Sequence, residues 1–237
     1  MIIKFLKLLP QQSAQQIYNQ YMIESDRYVK EANRIQIKKD ITRTYSNTKY
    51  FNSEKKEGHE RLRRLLESLS HFRKIGYVQG INFIAASFLW HCDEDLAYFI
   101  IVNLFSVLQV EKNYTSDLSG IQEKTSFFFD AYLKDHCREI HANLTEKDIL
   151  PQMILPEWFV TLGSSIIPLQ HHISFFMNLY QKGWIYLYKV IGNYLQALFP
   201  YFQAEDFGGT IIVIKNCKGE GGEKIHIRWT QILETQF

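Results

Sequence analysis

A helical spacing of apolar residues early in the chain constrains the fold more than any other feature. One helix face, built at spacings of three and four, would carry Leu62, Leu65, Leu66, Leu69 and Phe72. Such a stripe is the core-facing side of an amphipathic helix. We therefore predict a helix over His59–Phe72. Its charged residues are interpreted as a solvent-exposed surface, on which Glu60 and Arg64 form an i, i+4 pair.

Helical spacing recurs along most of the chain. The further helices that it predicts are Ile81–Trp90, Leu96–Val110, Phe127–Ile140, Ile173–Tyr180 and Trp184–Phe199. The last two are separated by Gly183, and Thr145–Asp148 matches the capping box that opens a helix. Helical spacing covers most of the chain and the connections are short, so we predict an all-α fold.

The composition argues against several classes of function. A net charge of +2 gives no concentrated basic face, so no nucleic-acid partner is expected. No apolar run reaches the roughly 18 residues that a membrane span needs. The cysteines, Cys92, Cys137 and Cys217, are odd in number and widely spaced, which favours free thiols in a reducing compartment. We therefore expect a cytoplasmic protein with no transmembrane segment.

Two short motifs carry the candidate chemistry. Residues 37–44 read I-K-K-D-I-T-R-T, and residues 75–82 read I-G-Y-V-Q-G-I-N. Arg43 offers a permanently charged planar group that can stabilise the charge developing in phosphoryl transfer. Gln79 offers a carboxamide that both donates and accepts hydrogen bonds, which orienting a water molecule requires. Glycines on both sides of Gln79 predict a loop or helix start that presents this side chain.

Together the motifs resemble the signatures of the TBC domain family, the GTPase-activating proteins for Rab-type small GTPases. Those signatures read roughly I-x-x-D-x-x-R-T and Y-x-Q-G. The resemblance implies a two-lobed bundle of short to medium helices. It also implies that Arg43 is an arginine finger and that Gln79 orients the attacking water, both acting in trans in the partner's nucleotide site.

The resemblance also implies the partner and the cellular setting. The partner would be a GTP-bound Rab-type small GTPase, which itself binds GTP and Mg²⁺, so this chain would need no cofactor and no metal of its own. The process would be vesicle trafficking, with recruitment to endomembranes through the partner as an open alternative to a purely cytoplasmic location.

Other motif residues would have supporting or partner-binding roles. In the family the residue equivalent to Asp40 holds the arginine loop by a salt bridge or hydrogen bond, and Thr44 would assist; a surface carboxylate or helix cap is the alternative for Asp40. Tyr77 would pack beside Gln79, contact the partner, or serve only as a core residue. Gly80 completes the second motif.

A third segment extends the resemblance. Residues 155–162 read L-P-E-W-F-V-T-L, similar to a family motif W-F-x-T-L that lies on a helix. Trp158 and Phe159 would be core aromatics or would shape the groove that binds the GTPase. The motifs lie within about residues 35–207.

We interpret residues 1–237 as a single TBC domain. Family members usually open with an R-x-x-x-W helix, but Trp90 is the first tryptophan here, so that helix is absent or Lys4–Leu9 is its end. The last residues allow a β-hairpin around the Gly-rich segment Lys218–Glu223. The resemblance instead favours a helix to about Asn216 and a short helix around Trp229–Leu233.

Two other functions remain to be weighed. The first is a catalytically weak Rab-binding or scaffolding module, which would not need Arg43 and Gln79. The second is a metal-dependent hydrolase that uses nearby histidines and cysteines. Its candidate ligands would be His136, Cys137, His141, His171 and His172, but they form no H-E-x-x-H motif and no paired cysteine site.

Overall fold

The computed structural model describes residues 13–52, 56–72, 75–115, 117–217 and 224–234, apart from the side chains of Asp26 and Lys56. Within these ranges the regular structure is almost entirely helical. The all-α prediction is therefore confirmed. No helix in the described ranges combines the length and the apolar character needed to cross a bilayer.

The first group of helices surrounds the predicted amphipathic segment. Among the described residues up to 112, its α-helices are α1 (Ala14–Tyr28), α2 (Glu31–Ile41), α3 (Lys56–His71), α4 (Ile81–Leu89) and α5 (Glu94–Leu108). α3 packs against the other four. Its apolar stripe is buried as predicted. α4 is apolar on nearly all sides and buried along its length, which also agrees with the sequence.

Only part of the charged face of α3 is the solvent-exposed surface that we predicted, because Glu60 is exposed but Glu67 is buried. Glu67 is 3% exposed, and its carboxylate binds Arg34 of α2 at 3.1 Å. Arg64 binds Glu94 of α5 at 2.7 Å instead of pairing with Glu60. Helices α1, α2 and α5 pack around α3, and a carboxylate that neighbouring helices cover needs a charged partner.

The second group follows in the later part of the chain. Among the described residues from 119 onward, its α-helices are α6 (Ser119–Phe127), α7 (Lys134–His136), α8 (Arg138–Glu146), α9 (Pro151–Ile154), α10 (Pro156–Val160), α11 (His172–Lys182), α12 (Trp184–Phe202), α13 (Phe207–Asn216) and α14 (Trp229–Leu233). Gly183 separates α11 from α12, as predicted, with φ +66°.

The single helix predicted over Phe127–Ile140 is wrong. A π-helical stretch, Phe128–Leu133, continues α6, and the helix breaks at Cys137 before α8 begins. Apolar residues on both sides of the break are buried in the same core. The hydrophobic spacing therefore continues across a break that it does not reveal.

The capping-box prediction at Thr145–Asp148 is also wrong, because this segment ends α8. The hydroxyl of Thr145 donates to the carbonyl of His141 at 2.7 Å, and Asp148 adopts a left-handed φ of +54°. The next helix begins at Pro151, a residue that favours the first turn.

Among the described residues after 206, two segments are helical, Phe207–Asn216 and Trp229–Leu233, which supports the helical alternative over the hairpin. α13 ends at Asn216, and α14 places Trp229 on the ring of Tyr194 with 5.2 Å between centroids. The segments Lys218–Glu223 and Lys4–Leu9 lie outside the described residues.

The two groups of helices meet between α4 and α11, where the rings of Phe88 and Phe176 lie 4.8 Å apart. Both motif loops adjoin α4. One follows α2 and hydrogen-bonds to the first turn of α4, while the other leads directly into α4. The third motif lies on α10 and the turn after it. Its Val160 lies against Gly80, the residue just before α4, so the three motifs converge around the start of α4.

Candidate functional site

Arg43 lies just beyond the C-terminus of α2. α2 ends at Ile41, and the amide of Arg43 still donates to the carbonyl of Asp40 at 3.2 Å. The Arg43 side chain is 51% exposed, and its Nη2 binds Asp40 Oδ1 at 2.5 Å. A guanidinium has five N–H donors, so this contact leaves donors that can reach another molecule.

Asp40 is completely buried, which rules out the surface-carboxylate alternative. Its Oδ1 also accepts from Gln36 Nε2 at 3.1 Å, and its Oδ2 accepts from the Tyr77 hydroxyl at 2.7 Å. Burying an ionised carboxylate is costly unless it is paired and hydrogen-bonded. The Arg43 guanidinium, an amide and a phenol meet that requirement together.

Tyr77 connects the second motif loop to this carboxylate. Burial, followed by the hydrogen bond to the Asp40 carboxylate, raises the pKa of the Tyr77 hydroxyl well above its ordinary value. The phenol is therefore protonated at neutral pH and acts as a donor. Three alternatives were given for Tyr77. Its position supports the first, in which Tyr77 packs in the loop of Gln79, and there it links the two motifs.

Gln79 lies at the tip of the second loop with an exposed side chain. The backbone on either side of it turns through Gly76 and Gly80, whose φ angles are +70° and +118°. A residue that carries a Cβ is strained at such angles, whereas glycine is not. A Cβ on Gly80 would also lie 2.8 Å from Cγ1 of Val160. The glycine thus lets the loop press against the third motif while Gln79 points outward.

Asn82 joins the two loops from inside the protein. Its Nδ2 donates to Oγ1 of Thr44 at 2.8 Å, and its Oδ1 accepts from the amide of Gly80 at 2.8 Å. Thr44 in turn donates to the carbonyl of Asp40 at 2.7 Å. Sequence reasoning did not assign Asn82 a role. The available signal was an amide in the first turn of an otherwise apolar helix, since buried polar groups are nearly always hydrogen-bonded.

Trp158 and Phe159 lie in the core of the second group. Trp158 packs edge to face on Tyr194 at 5.4 Å, and Phe159 contacts Phe128 at 5.7 Å. Both side chains are buried, so the groove-lining alternative is not supported and the core alternative is. The contact of this motif with the site comes from Val160, behind Gly80.

The cysteines and histidines of the metal-dependent alternative do not converge. In the described part of the chain, no three His, Cys, Asp or Glu side chains are grouped so that they could hold a metal ion. His136 packs on Tyr132, His141 packs on Phe129, and the imidazole Nε2 of buried His172 is hydrogen-bonded to the carbonyl of Ile167.

The arrangement brings one exposed cation and one exposed carboxamide onto two tethered loops. Asp40, Tyr77, Thr44 and Asn82 form a continuous hydrogen-bonded connection between these loops. An exposed Arg and Gln held in this way can reach into the site of a second molecule, where a cation can stabilise negative charge and an amide can orient water.

Comparison with known proteins identifies close resemblances. The family model described as the Rab-GTPase-TBC domain matches residues 4–204. The chain is 31% identical over 159 residues to mouse TBC1 domain family member 4 and 27% identical over 174 residues to human TBC1 domain family member 1. These matches cover 67% and 73% of this chain but only 12% and 15% of the relatives.

A solved structure supports the fold. The crystal structure of the Ypt/Rab-GAP domain of Gyp1p superposes with a TM-score of 0.74 at 16% identity, over 93% of this chain and 77% of that one. At this level of identity the likeness is evidence for the architecture alone.

Proposed function

The chain belongs to the Rab-GTPase-TBC domain family, and we propose that it activates GTP hydrolysis by a GTP-bound Rab-type small GTPase, using Arg43 as an arginine finger and Gln79 to orient water. The single observation that carries the proposal is the tether between the two loops. Arg43 and Gln79 are exposed, while Asp40 and Tyr77 behind them are joined by a 2.7 Å hydrogen bond.

Arg43 would act on the transferring phosphoryl group. Asp40 orients the guanidinium before the partner arrives, which reduces the entropy lost when the finger is positioned. The remaining N–H donors would stabilise the charge that builds up on the phosphoryl and leaving oxygens. Arginine fingers of this kind contribute about 10³–10⁵ in rate.

Gln79 would act on the water. Its carbonyl oxygen accepts a hydrogen bond from the water while its amide group donates to the phosphoryl oxygens, which places the nucleophile in line. GTP and Mg²⁺ would belong to the partner, and this chain would contribute no cofactor. A Rab-type partner would also bring the chain to the endomembrane on which that partner resides.

Single-turnover phosphate release from a panel of GTP-loaded Rab-type GTPases tests the proposal. Wild-type protein should stimulate one or a few of them, and Arg43→Ala and Gln79→Ala should each abolish the stimulation while binding to the GTP-loaded partner persists. Arg138→Ala and Gln170→Ala are matched controls, because both residues are exposed and lie outside the site.

Two results would contradict the proposal. If folded wild-type protein binds a GTP-loaded GTPase without stimulating it, the chain is a binding or scaffolding module. If it stimulates hydrolysis and both variants stimulate equally well, the catalytic groups lie elsewhere.

A further inference from the structure

Tyr45 directly follows the first motif and has an unusual backbone conformation. Its φ is +45°, in the left-handed region that non-glycine residues seldom adopt. This conformation ends the motif loop and turns the Tyr45 ring inward. Such strain persists only where surrounding contacts hold it. The contacts of the Tyr45 ring therefore show what holds this backbone conformation in place.

The ring of Tyr45 lies between the two groups of helices. On the first group it packs edge to face on Phe83 of α4, with centroids 5.3 Å apart. On the second group, the centroid of the Tyr45 ring lies 6.1 Å from that of His172. The Tyr45 hydroxyl donates to the carbonyl of Ser164 at 2.9 Å. Ser164 is buried and lies in the turn after α10, close in sequence to Val160.

The tether described above ties the arginine loop to the first group only, since Asn82 belongs to α4. The hydrogen bond from Tyr45 to Ser164 ties the same loop to the second group. Burial raises the pKa of the Tyr45 hydroxyl to about 12, so this donor is present throughout the neutral range.

We propose that Tyr45 is a positioning residue, which fixes the Arg43 loop against the second group of helices through the Ser164 carbonyl. This inference rests on the proposed function for its catalytic consequence. Its structural consequence, an ordered loop in the free protein, stands independently of any partner.

Tyr45→Phe removes only the hydroxyl and is the variant of choice. Tyr186→Phe is the matched control, because Tyr186 is buried in α12 and donates to the backbone carbonyl of Leu233 at 3.2 Å. Tyr45→Phe deletes the hydrogen bond to Ser164 and a longer contact of 3.4 Å with Oγ of Ser87, and Tyr186→Phe deletes the hydrogen bond to Leu233. Thermal unfolding should show a loss of stability for both variants.

Amide hydrogen exchange of the free protein tests the loop itself. The amide of Thr44 donates to the carbonyl of Ile41 at the end of α2 at 3.1 Å, and the amide of Thr48 donates to the carbonyl of Tyr45 at 2.9 Å. In Tyr45→Phe these amides should exchange about 10-fold faster than in wild type, whereas Tyr186→Phe should leave them unchanged. Equal protection in both variants would overturn the proposal.

Kinetics on a stimulated GTPase test the positioning role. Tyr45→Phe should lower kcat about 10-fold with KM nearly unchanged, because a displaced finger weakens contacts made in the transition state. Faster exchange with an unchanged kcat would overturn positioning. If wild-type protein stimulates no GTPase, the proposed function fails, and the exchange experiment still decides whether Tyr45 holds the loop.

Discussion

The hydroxyl of Tyr77 donates a 2.7 Å hydrogen bond to Oδ2 of Asp40, while Oδ1 of the same carboxylate binds the guanidinium of Arg43. One buried carboxylate therefore holds both the loop of the proposed finger and the loop of Gln79. The loop of Arg43 and the loop of Gln79 are therefore joined through Asp40, so damage to either loop should affect the other.

Tyr77→Phe should weaken both stability and activity. The variant removes a hydrogen bond to a buried charged group, a loss of about 1.5–3 kcal/mol in the free energy of unfolding. Urea denaturation measures the stability, and single-turnover GTP hydrolysis should show a lower kcat. Tyr201→Phe is the control, since the Tyr201 side chain is 45% exposed. A fully active and stable Tyr77→Phe would show that the link is dispensable.

Arg43→Lys should fail almost as completely as Arg43→Ala, with stimulation reduced by about 10³ or more. Lysine keeps the charge but cannot bind Asp40 and a phosphoryl oxygen at once with a planar fork. The rate of phosphate release at saturating activator is the measurement. Near-full activity of Arg43→Lys would be incompatible with a finger assignment.

Gly80→Ala should destabilise the second loop by about 1–3 kcal/mol, because its φ of +118° strains any other residue. The new Cβ would also meet Val160, and the double variant Gly80→Ala with Val160→Ala should recover the part of the activity lost to this clash. Gly183→Ala is the control. Gly183 also has a positive φ, but a Cβ there meets nothing within 4 Å, so only stability should fall.

His172 should make the fold sensitive to mild acid. Desolvation by burial, opposed by the hydrogen bond to Ile167, lowers the pKa of His172 to about 4, with a smaller contribution from nearby His91 and His171. Because the folded-state value lies below the unfolded value of about 6.5, the unfolded state binds the proton first. Stability is then complete above pH 6.5 and falls as the pH drops towards 4, by up to about 1.4 kcal/mol per pH unit.

Urea denaturation between pH 7.5 and 4.5 measures this slope, and His172→Gln should flatten it. Glutamine retains a donor for the Ile167 carbonyl, so the variant separates the titration from the loss of a hydrogen bond. An identical slope in both proteins would assign the acid sensitivity to other groups.

The sequence predicted the elements whose apolar residues face a single core, such as α3 and α12. It could not predict that the charged side of α3 is partly covered as well, because Arg34 and Glu94 come from distant segments and their ion pairs depend on tertiary packing. The pattern at Thr145–Asp148 failed for a local reason: the same residue types can open a helix or close one, and the left-handed Asp148 decides between them.

Arg43 and Gln79, the exposed residues of the site, could be predicted from the sequence because the two motifs contain them. The hydrogen-bonded network behind them could not be predicted. The bond between Asp40 and Tyr77 spans 37 positions, and no spacing rule connects a loop after one helix to a loop before another. Trp158 was recognised by its motif, yet only the fold shows that Val160, two positions on, makes the contact with the site.

The pairing of Arg43 with Asp40 also affects how fast a partner GTPase associates with this chain. The guanidinium of Arg43, the proposed finger, is paired with its own carboxylate and so presents a local dipole whose field falls off quickly with distance, whereas an isolated cation would attract an anionic nucleotide over a longer range. The Arg43 and Asp40 pair should therefore add little ionic-strength dependence to the association rate. Recognition of the correct GTPase would then depend on the short-range fit of surfaces after collision, with the finger engaging only once that fit is achieved.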